Sequence, residues 1–256
     1  MNKTQAIVVG IGLLLIAGLY FLPIKSQKSI DTDKTRSLTM ELTDESTLIK
    51  EAEQKYTPNQ MLQVRTMIEF MASETDDSLK LDQMAKISGQ WYQLGEPALA
   101  GIYAEKIAEK RDTEESWGIA GTTYAAGMRK YEDGKNKTFS RNKAVKAFEN
   151  AISINPESSN NRVNLALCYV EMPLQNQPMK GILMLRDMLD KNPDDVMALT
   201  QLGRLAIRTG QFEKAIERLS KARSIEPNNE KVRLLLLQAY EATGNINAAN
   251  ALKAQD

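Results

Sequence analysis

The first pattern along the chain is an apolar run without a polar break. Residues 6–22, AIVVGIGLLLIAGLYFL, hold no charged side chain and are apolar on every face of a helix. With Pro23 and Ile24 the run approaches the ~20 residues that cross a bilayer core. Lys3 precedes it, Lys25 and Lys28 follow it, and Tyr20 and Phe21 stand near its end, where interfacial aromatics sit. This pattern predicts an uncleaved transmembrane anchor over 1–25. A cleaved signal peptide would close on a small-residue site, and a lipid-modified one would carry a cysteine just after the run. Neither follows Leu22. A buried soluble helix is the competing reading. The short N-terminal tail suits insertion with the N-terminus in the cytoplasm and the bulk of the chain outside, in a bacterium the periplasm.

Residues 26–43 are polar and lack a helical stripe, which predicts a tether. Over 44–80 two helices are expected. Residues 44–55 carry acidic residues in the first turn and a small apolar set, Leu48, Ile49 and Ala52. Thr57, Pro58 and Gln60 then spell an N-cap, a first-turn proline and a capping-box partner. Met61, Val64, Met67, Ile68 and Met71 follow at helical spacing. Two roles are open for that face, packing on the next helix or a methionine surface for a partner.

From residue 81 the helical period repeats on a longer one. Leu199, Leu202, Gly203 and Ala206 are followed by Gly210, then by Ala215, Leu219 and Ala222, and Pro227 closes the unit. Pro193 stands one 34-residue period earlier, closing a unit with Leu165, Ala166, Tyr169, Gly181 and Leu185. The interval back to Pro156 is 37 residues, and the three extra residues belong in a turn at 172–178, where Pro173 and Pro178 forbid a continuous helix. The unit before it carries Trp117, Ala120, Gly121 and Tyr124, then Ala144, Phe148 and Ala151, with an insertion of about eleven residues within 129–143. Weaker units flank these, one with Ile87, Ser88, Trp91, Gly95, Ala100 and Ala104 and one with Leu236, Leu237, Tyr240, Gly244 and Ala249.

These positions resemble the tetratricopeptide repeat, W-x2-L-G-x2-Y then A-x3-F then proline, across 81–256. In that pattern small residues let two helices approach closely, and large apolar ones fill the gap to the next unit. The departures, Ser88 for glycine, Asp112 for proline and Leu237 for a small residue, fall in the outer units. The resemblance implies an all-α fold, a superhelical solenoid of helix-turn-helix units with about four repeats and a C-terminal capping hairpin. It also implies an inner face lined by the first helix of each unit, where relatives bind peptides or helices. A subgroup of the family clamps a carboxylate there with Lys and Asn; here those positions hold Ala85, Gly89, Gly118, Thr122, Val163, Leu167, Thr200, Arg204, Leu234 and Gln238, so that clamp is not expected. The expected groove is Val163, Leu167, Thr200, Arg204, Ile207, Arg208, Leu234 and Gln238, small and apolar with two cationic points. It suits an apolar or amphipathic segment, with or without an acidic group. Occupancy by the chain's own N-terminal helix is equally open.

Charge adds one feature. Lys plus Arg and Asp plus Glu balance at 33 each, which gives no footprint for nucleic acid. The insertion at 129–143 departs from that balance, with six basic and two acidic residues. Its Arg129, Lys130, Lys135, Lys137, Arg141 and Lys143 are expected on a surface loop, either solvated or facing anionic headgroups or an acidic partner.

Chemistry is mostly subtracted. The chain has no histidine and one cysteine, Cys168, so the commonest general base, the commonest metal ligand and any internal disulfide are missing. No phosphate-binding glycine loop occurs, and the carboxylates are expected on exposed helix positions. The expectation is a non-enzymatic, single-pass membrane scaffold for a protein partner, without cofactor, metal or nucleic acid. It would serve assembly or trafficking of envelope proteins, by architecture similar to the ancillary subunit of the secretion translocon or the repeat subunits of cytochrome c maturation. A constitutive structural subunit of a membrane complex is the alternative.

Overall fold

A computed structural model describes residues 43–132 and 134–254. The anchor over 1–25 and the tether lie outside the described residues, which form one compact unit from Thr43 onward. Among the described residues there are twelve helices and no strand, only an isolated bridge between Leu174 and Gln177. No helix among them is long and apolar enough to cross a membrane. In chain order they are α1 (Glu45–Lys55), α2 (Pro58–Ser73), α3 (Asp77–Gln93), α4 (Pro97–Arg111), α5 (Glu114–Lys130), α6 (Lys135–Ile154), α7 (Ser159–Glu171), α8 (Lys180–Lys191), α9 (Val196–Arg208), α10 (Phe212–Ile225), α11 (Glu230–Ala242) and α12 (Ile246–Lys253).

The starts of these helices are written in their caps. Asp44 accepts from the Thr47 amide, and Thr57 and Gln60 form the expected reciprocal capping box. Asp76, Thr113, Ser158, Asp195 and Asn229 cap α3, α5, α7, α9 and α11 in the same way, so every first helix of a hairpin is capped by a side chain. The first unit begins at Asp77, four residues before the expected boundary. Inside the hairpins, Gly95 (φ 77°) and Gly210 (φ 71°) make left-handed turns that a side chain would strain. Asp112, which stands where a proline was expected, adopts φ 47° and caps α4. Its carboxylate accepts the Trp117 indole N–H at 3.0 Å, which ties that turn to the next unit.

Each hairpin closes tightly because a small residue faces a large one. A Cβ added at Gly121 would lie 2.6 Å from the Phe148 ring, and one at Gly203 would lie 2.6 Å from Leu219. The first helices α5, α7, α9 and α11 touch in succession and form one layer; the second helices α4 and α6 also touch. Among the described residues the apolar side chains gather in several clusters. The largest runs from α1 to α7 and holds Trp91, Tyr103, Tyr124 and Phe148, all fully buried. Met61 and Val64 of α2 are buried in it, with Met67, Ile68 and Met71 packed partly against it, so the methionine face is spent on the fold. The turn at 172–179 breaks the helix where the two prolines demanded it.

The insertion differs from expectation. Residues 129–143 are not a loop: α5 runs to Lys130, α6 starts at Lys135, and only 131–134 separate them. The extra residues lengthen both helices, to 17 and 20 residues against 13 and 14 in α9 and α10. The reason is contact. Ser140 and Val145 are buried, Phe139 meets Tyr124 edge-on with ring centroids 6.0 Å apart, and α1 reaches the start of α6. Lys106 of α4 donates to Glu45 at 2.7 Å, and Lys135 and Asn136 of α6 donate to Glu51 at 2.7 Å each.

Candidate functional site

Helices α3, α5, α7, α9 and α11 present the face on which the groove was expected, and the structure sorts its residues. Val163 is 1 % exposed and packs with Leu185, Ala198 and Leu202, while Thr200 is 4 % exposed and donates to the Val196 carbonyl at 2.6 Å. Both are core residues and leave the groove. Leu167 and Ile207 are half-buried against the core. Arg208, Leu234 and Gln238 reach the surface, Leu234 by half. Arg204 is half-buried, and its Nε donates to the buried Gln201 side chain at 2.9 Å. Burial and the neighbouring Arg208 lower the Arg204 pKa.

A second part of the same face was missed. Between α3 and α5, over α4, lies a cleft of about 480 Å³ lined by Ala85, Gly89, Tyr92, Ala104, Ile107 and Ile119, with Arg111 and Glu115 at its edge. Tyr92 and Ile119 are each more than half exposed. Ala85 and Gly89 were inner positions by the repeat pattern, but no repeat position marks Tyr92 or Ile119. The available signal was Gly89 itself, a mid-helix glycine whose Cβ would meet nothing within 4 Å. No neighbour within the described chain requires the missing side chain.

The basic side chains of the insertion mostly meet partners within the chain. Lys143 donates to Glu105 at 2.7 Å, Lys130 to Glu96 at 3.1 Å, and Lys137 to the Glu132 carbonyl at 2.7 Å. The Arg141 guanidinium stacks over the Tyr169 ring at 5.0 Å. Lys135 pairs with Glu51, which leaves Arg129, in the last turn of α5, on the first-helix side.

Two carboxylates are buried, against the expectation that all sit on exposed positions. Glu105 accepts from the Tyr124 hydroxyl at 2.6 Å as well as from Lys143. Glu96 accepts from Lys55 at 2.5 Å, Tyr56 at 2.8 Å, Lys130 and Tyr131. Burial pushes the Glu96 carboxyl up, but the hydrogen bonds from Lys55, Tyr56 and Lys130 outweigh it and hold the group below its ordinary range. Both carboxylates are engaged by cations and join helices. Burial, with Glu171 nearby, pushes the Cys168 thiol up to about 12, which keeps it protonated. Among the described residues no group of three metal-ligating side chains occurs.

Comparison with known proteins agrees with this geometry. Residues 210–253, which cover the turn of the fourth hairpin, α10 and the last hairpin, match the family model described as "Tetratricopeptide repeat". Over those residues the chain resembles the tetratricopeptide repeat. Its described part is similar in fold to a thermophilic tetratricopeptide-repeat protein of Thermus thermophilus, with a TM-score of 0.51 at 16% identity over 77% of this chain and 98% of that one. A tetratricopeptide-repeat protein of Parabacteroides merdae aligns over 82% of this chain and 78% of its own, at 15% identity and a TM-score of 0.49. In sequence, a stretch of 102 residues is 31% identical to anaphase-promoting complex subunit 3 of Dictyostelium discoideum. That stretch is 39% of this chain and spans 10% of the relative, so the likeness covers a small part of that protein.

Proposed function

We propose that the chain is a membrane-tethered repeat scaffold that recruits a protein partner on the layer of first helices. The observation that carries this is the contrast between the two layers. The N-terminal helix α1 packs on the second helix α4 and pairs with the start of α6, while the first helices keep Leu234, and Tyr92 and Ile119 beside an open cleft, about half exposed. A layer that displays large apolar groups beside an open cleft is where an apolar or amphipathic segment gains most. The apolar run at 6–22 supplies the tether, and confinement to a membrane raises the effective concentration of partners held there. Assembly or trafficking of envelope proteins is the process this layout serves.

A photo-crosslinking amino acid at Ile119 or Leu234, against controls at the exposed Lys146 and Lys214 of the second helices, tests the face. Adducts from the first pair only are expected; adducts confined to the second pair would sink the reading. Alkaline carbonate extraction tests the tether: the full chain should stay with membranes, and a chain beginning at Thr43 should be released.

A second reading, a constitutive subunit of a larger complex, draws on apolar groups elsewhere. Leu62 and Phe70 of α2, and Met179 and Leu183 beside a second cavity of about 450 Å³, are more than half exposed as well. Sizing in mild detergent separates the two, because a stable large particle favours the subunit and a small one the transient scaffold.

A further inference from the structure

Tyr169 of α7 carries two cations. The Arg141 guanidinium of α6 lies 5.0 Å from the ring centroid, and the Lys180 ammonium, at the start of α8, lies 3.8 Å from it. A ring face attracts a cation but neutralises no charge, and two like charges held at one ring repel. Among the described residues neither cation pairs with a carboxylate, and Glu171, two residues beyond Tyr169, meets neither. Packing on the ring accounts for Lys180, which is half-buried. It does not account for Arg141. Only Nη1 of that guanidinium donates, to the Asn142 side chain at 2.9 Å, while Nε and Nη2 are buried without an acceptor.

Lys180 also lines the cavity of about 450 Å³ along α8, with Pro178, Met179, Leu183 and Met184 as apolar walls. Asp187 stands two turns on, at the other end. Its charge is met by Lys191 at 2.8 Å and Arg162 at 3.6 Å, whereas the positive charge at the Lys180 end is not met. The start of α8 has no side-chain cap, so the positive end of the helix dipole adds to the same place. The cavity is therefore apolar along its length and cationic at one end.

We infer that it binds a fatty carboxylate with one hydrocarbon chain, the carboxylate accepting from Lys180 and the chain lying along Met179, Leu183 and Met184. Arg141 is a positioning residue: its buried charge strengthens the field at Lys180 without touching the ligand. The lining favours a hydrocarbon over a peptide. A buried peptide brings an N–H and a C=O at each residue that must be paired, and apart from its charged residues the lining has one polar side chain, Gln177. The cavity follows one helix face, which takes a single chain rather than the two of a phospholipid. The site lies on a second helix, so its failure leaves the partner face of the first helices untouched.

The test irradiates the full chain, in phosphatidylcholine vesicles, with a diazirine analogue of palmitic acid at alkaline pH, and maps the label by mass spectrometry. Label is expected within residues 177–187. Unlabelled palmitate should compete for it, and methyl palmitate and inorganic phosphate should not. Lys180→Gln should lower the label about tenfold, the weight of one charge-assisted contact. Arg141→Gln should lower it in part and Arg141→Lys should restore it, which a purely structural role for the guanidinium would not give. Leu183→Glu changes an exposed residue and should remove the label with the circular dichroism unchanged, which keeps the test open if Arg141→Gln fails to fold. Label absent from 177–187, or undiminished in Lys180→Gln, overturns the site. Equal competition by the methyl ester overturns the carboxylate contact, and equal competition by phosphate overturns the hydrocarbon chain. A photo-crosslinker at Leu183 that captures a protein and excludes the lipid label also overturns the inference, and gives the cavity to a subunit contact.

Discussion

At the scale of single residues, the glycines divide by what a methyl group would meet. Gly203 faces Leu219, and an added Cβ would lie 2.6 Å from its Cγ, so either the α9–α10 hairpin opens or Leu219 leaves its rotamer. Overpacking of this kind costs about 1–3 kcal/mol. Gly203→Ala is therefore expected to lower the urea midpoint of the C-terminal hairpins. Gly89 is also helical, but nothing lies within 4 Å of its Cβ position. Gly89→Ala should raise stability by about 1 kcal/mol through helix propensity alone. If both substitutions move stability the same way, the steric account of the repeat is wrong. Cys168 gives an independent check on packing. It is 1 % exposed and its thiol is pushed up to about 12, so a thiol reagent at neutral pH should label it only as fast as the chain opens. Rapid labelling of the native protein would contradict that burial.

At the scale of elements, Glu96 is the joint between the N-terminal helix and the repeats. It caps no helix with its side chain. Instead it gathers Lys55 and Tyr56 from the end of α1 and Lys130 and Tyr131 from the end of α5. Glu96→Ala strands two lysines that are only partly exposed, and the loss is expected at about 2–4 kcal/mol, less than for a fully buried pair. The pH dependence follows from the depressed carboxyl. Its folded pKa is below the ordinary 4.5, so the stabilisation is complete above that value and is lost as pH falls through the folded pKa. Wild type should lose stability on acidification below about 4.5, and Glu96→Ala should lose less over the same range; parallel pH curves would remove Glu96 from the account. This joint also marks the limit of what could be read in advance. Caps, hairpin glycines and the turn at 172–179 were legible because each is local chemistry. The long hairpin of α5 and α6 was not, because Lys135, Asn136 and Ser140 carry loop-like polarity. Their helical state goes with contacts outside the stretch: Lys135 and Asn136 meet Glu51 of α1, and Ser140 packs beside Gly127 of α5. Of the candidate site, Arg208, Leu234 and Gln238 were legible by period, while Val163 and Thr200 were lost to the core because the repeat pattern gives the face of a helix but not the depth of a residue.

At the scale of the whole molecule, the repeat array is not uniform in what holds it together. The largest cluster joins α1 to α7 and contains the fully buried aromatic side chains of the described residues, Trp91, Tyr103, Tyr124 and Phe148. In the two clusters toward the C-terminus the buried members are alanine, valine, leucine and one methionine, with each hairpin resting mainly on its neighbours. A buried aromatic or leucine contributes about 1.5–3 kcal/mol by burial, and an alanine much less, so the N-terminal units hold more stabilisation per helix. The buried carboxylates Glu96 and Glu105 and their cationic partners add cross-links only to that half. In a linear array, where contacts run between neighbours, such a gradient lets one end open first. The last hairpin, α11 and α12, should therefore open at lower denaturant than the rest. The distribution of tryptophan makes this visible without labels. Both tryptophans, Trp91 and Trp117, lie in α3 and α5, whereas far-ultraviolet circular dichroism sees every helix. A urea titration followed by both signals should give two curves, with ellipticity falling ahead of tryptophan emission. Removing residues 230–256 should shift the ellipticity curve while leaving the tryptophan midpoint nearly in place. Coincident curves in the full chain would mean that coupling between neighbouring units outweighs their unequal cores, and the array would then unfold as one body.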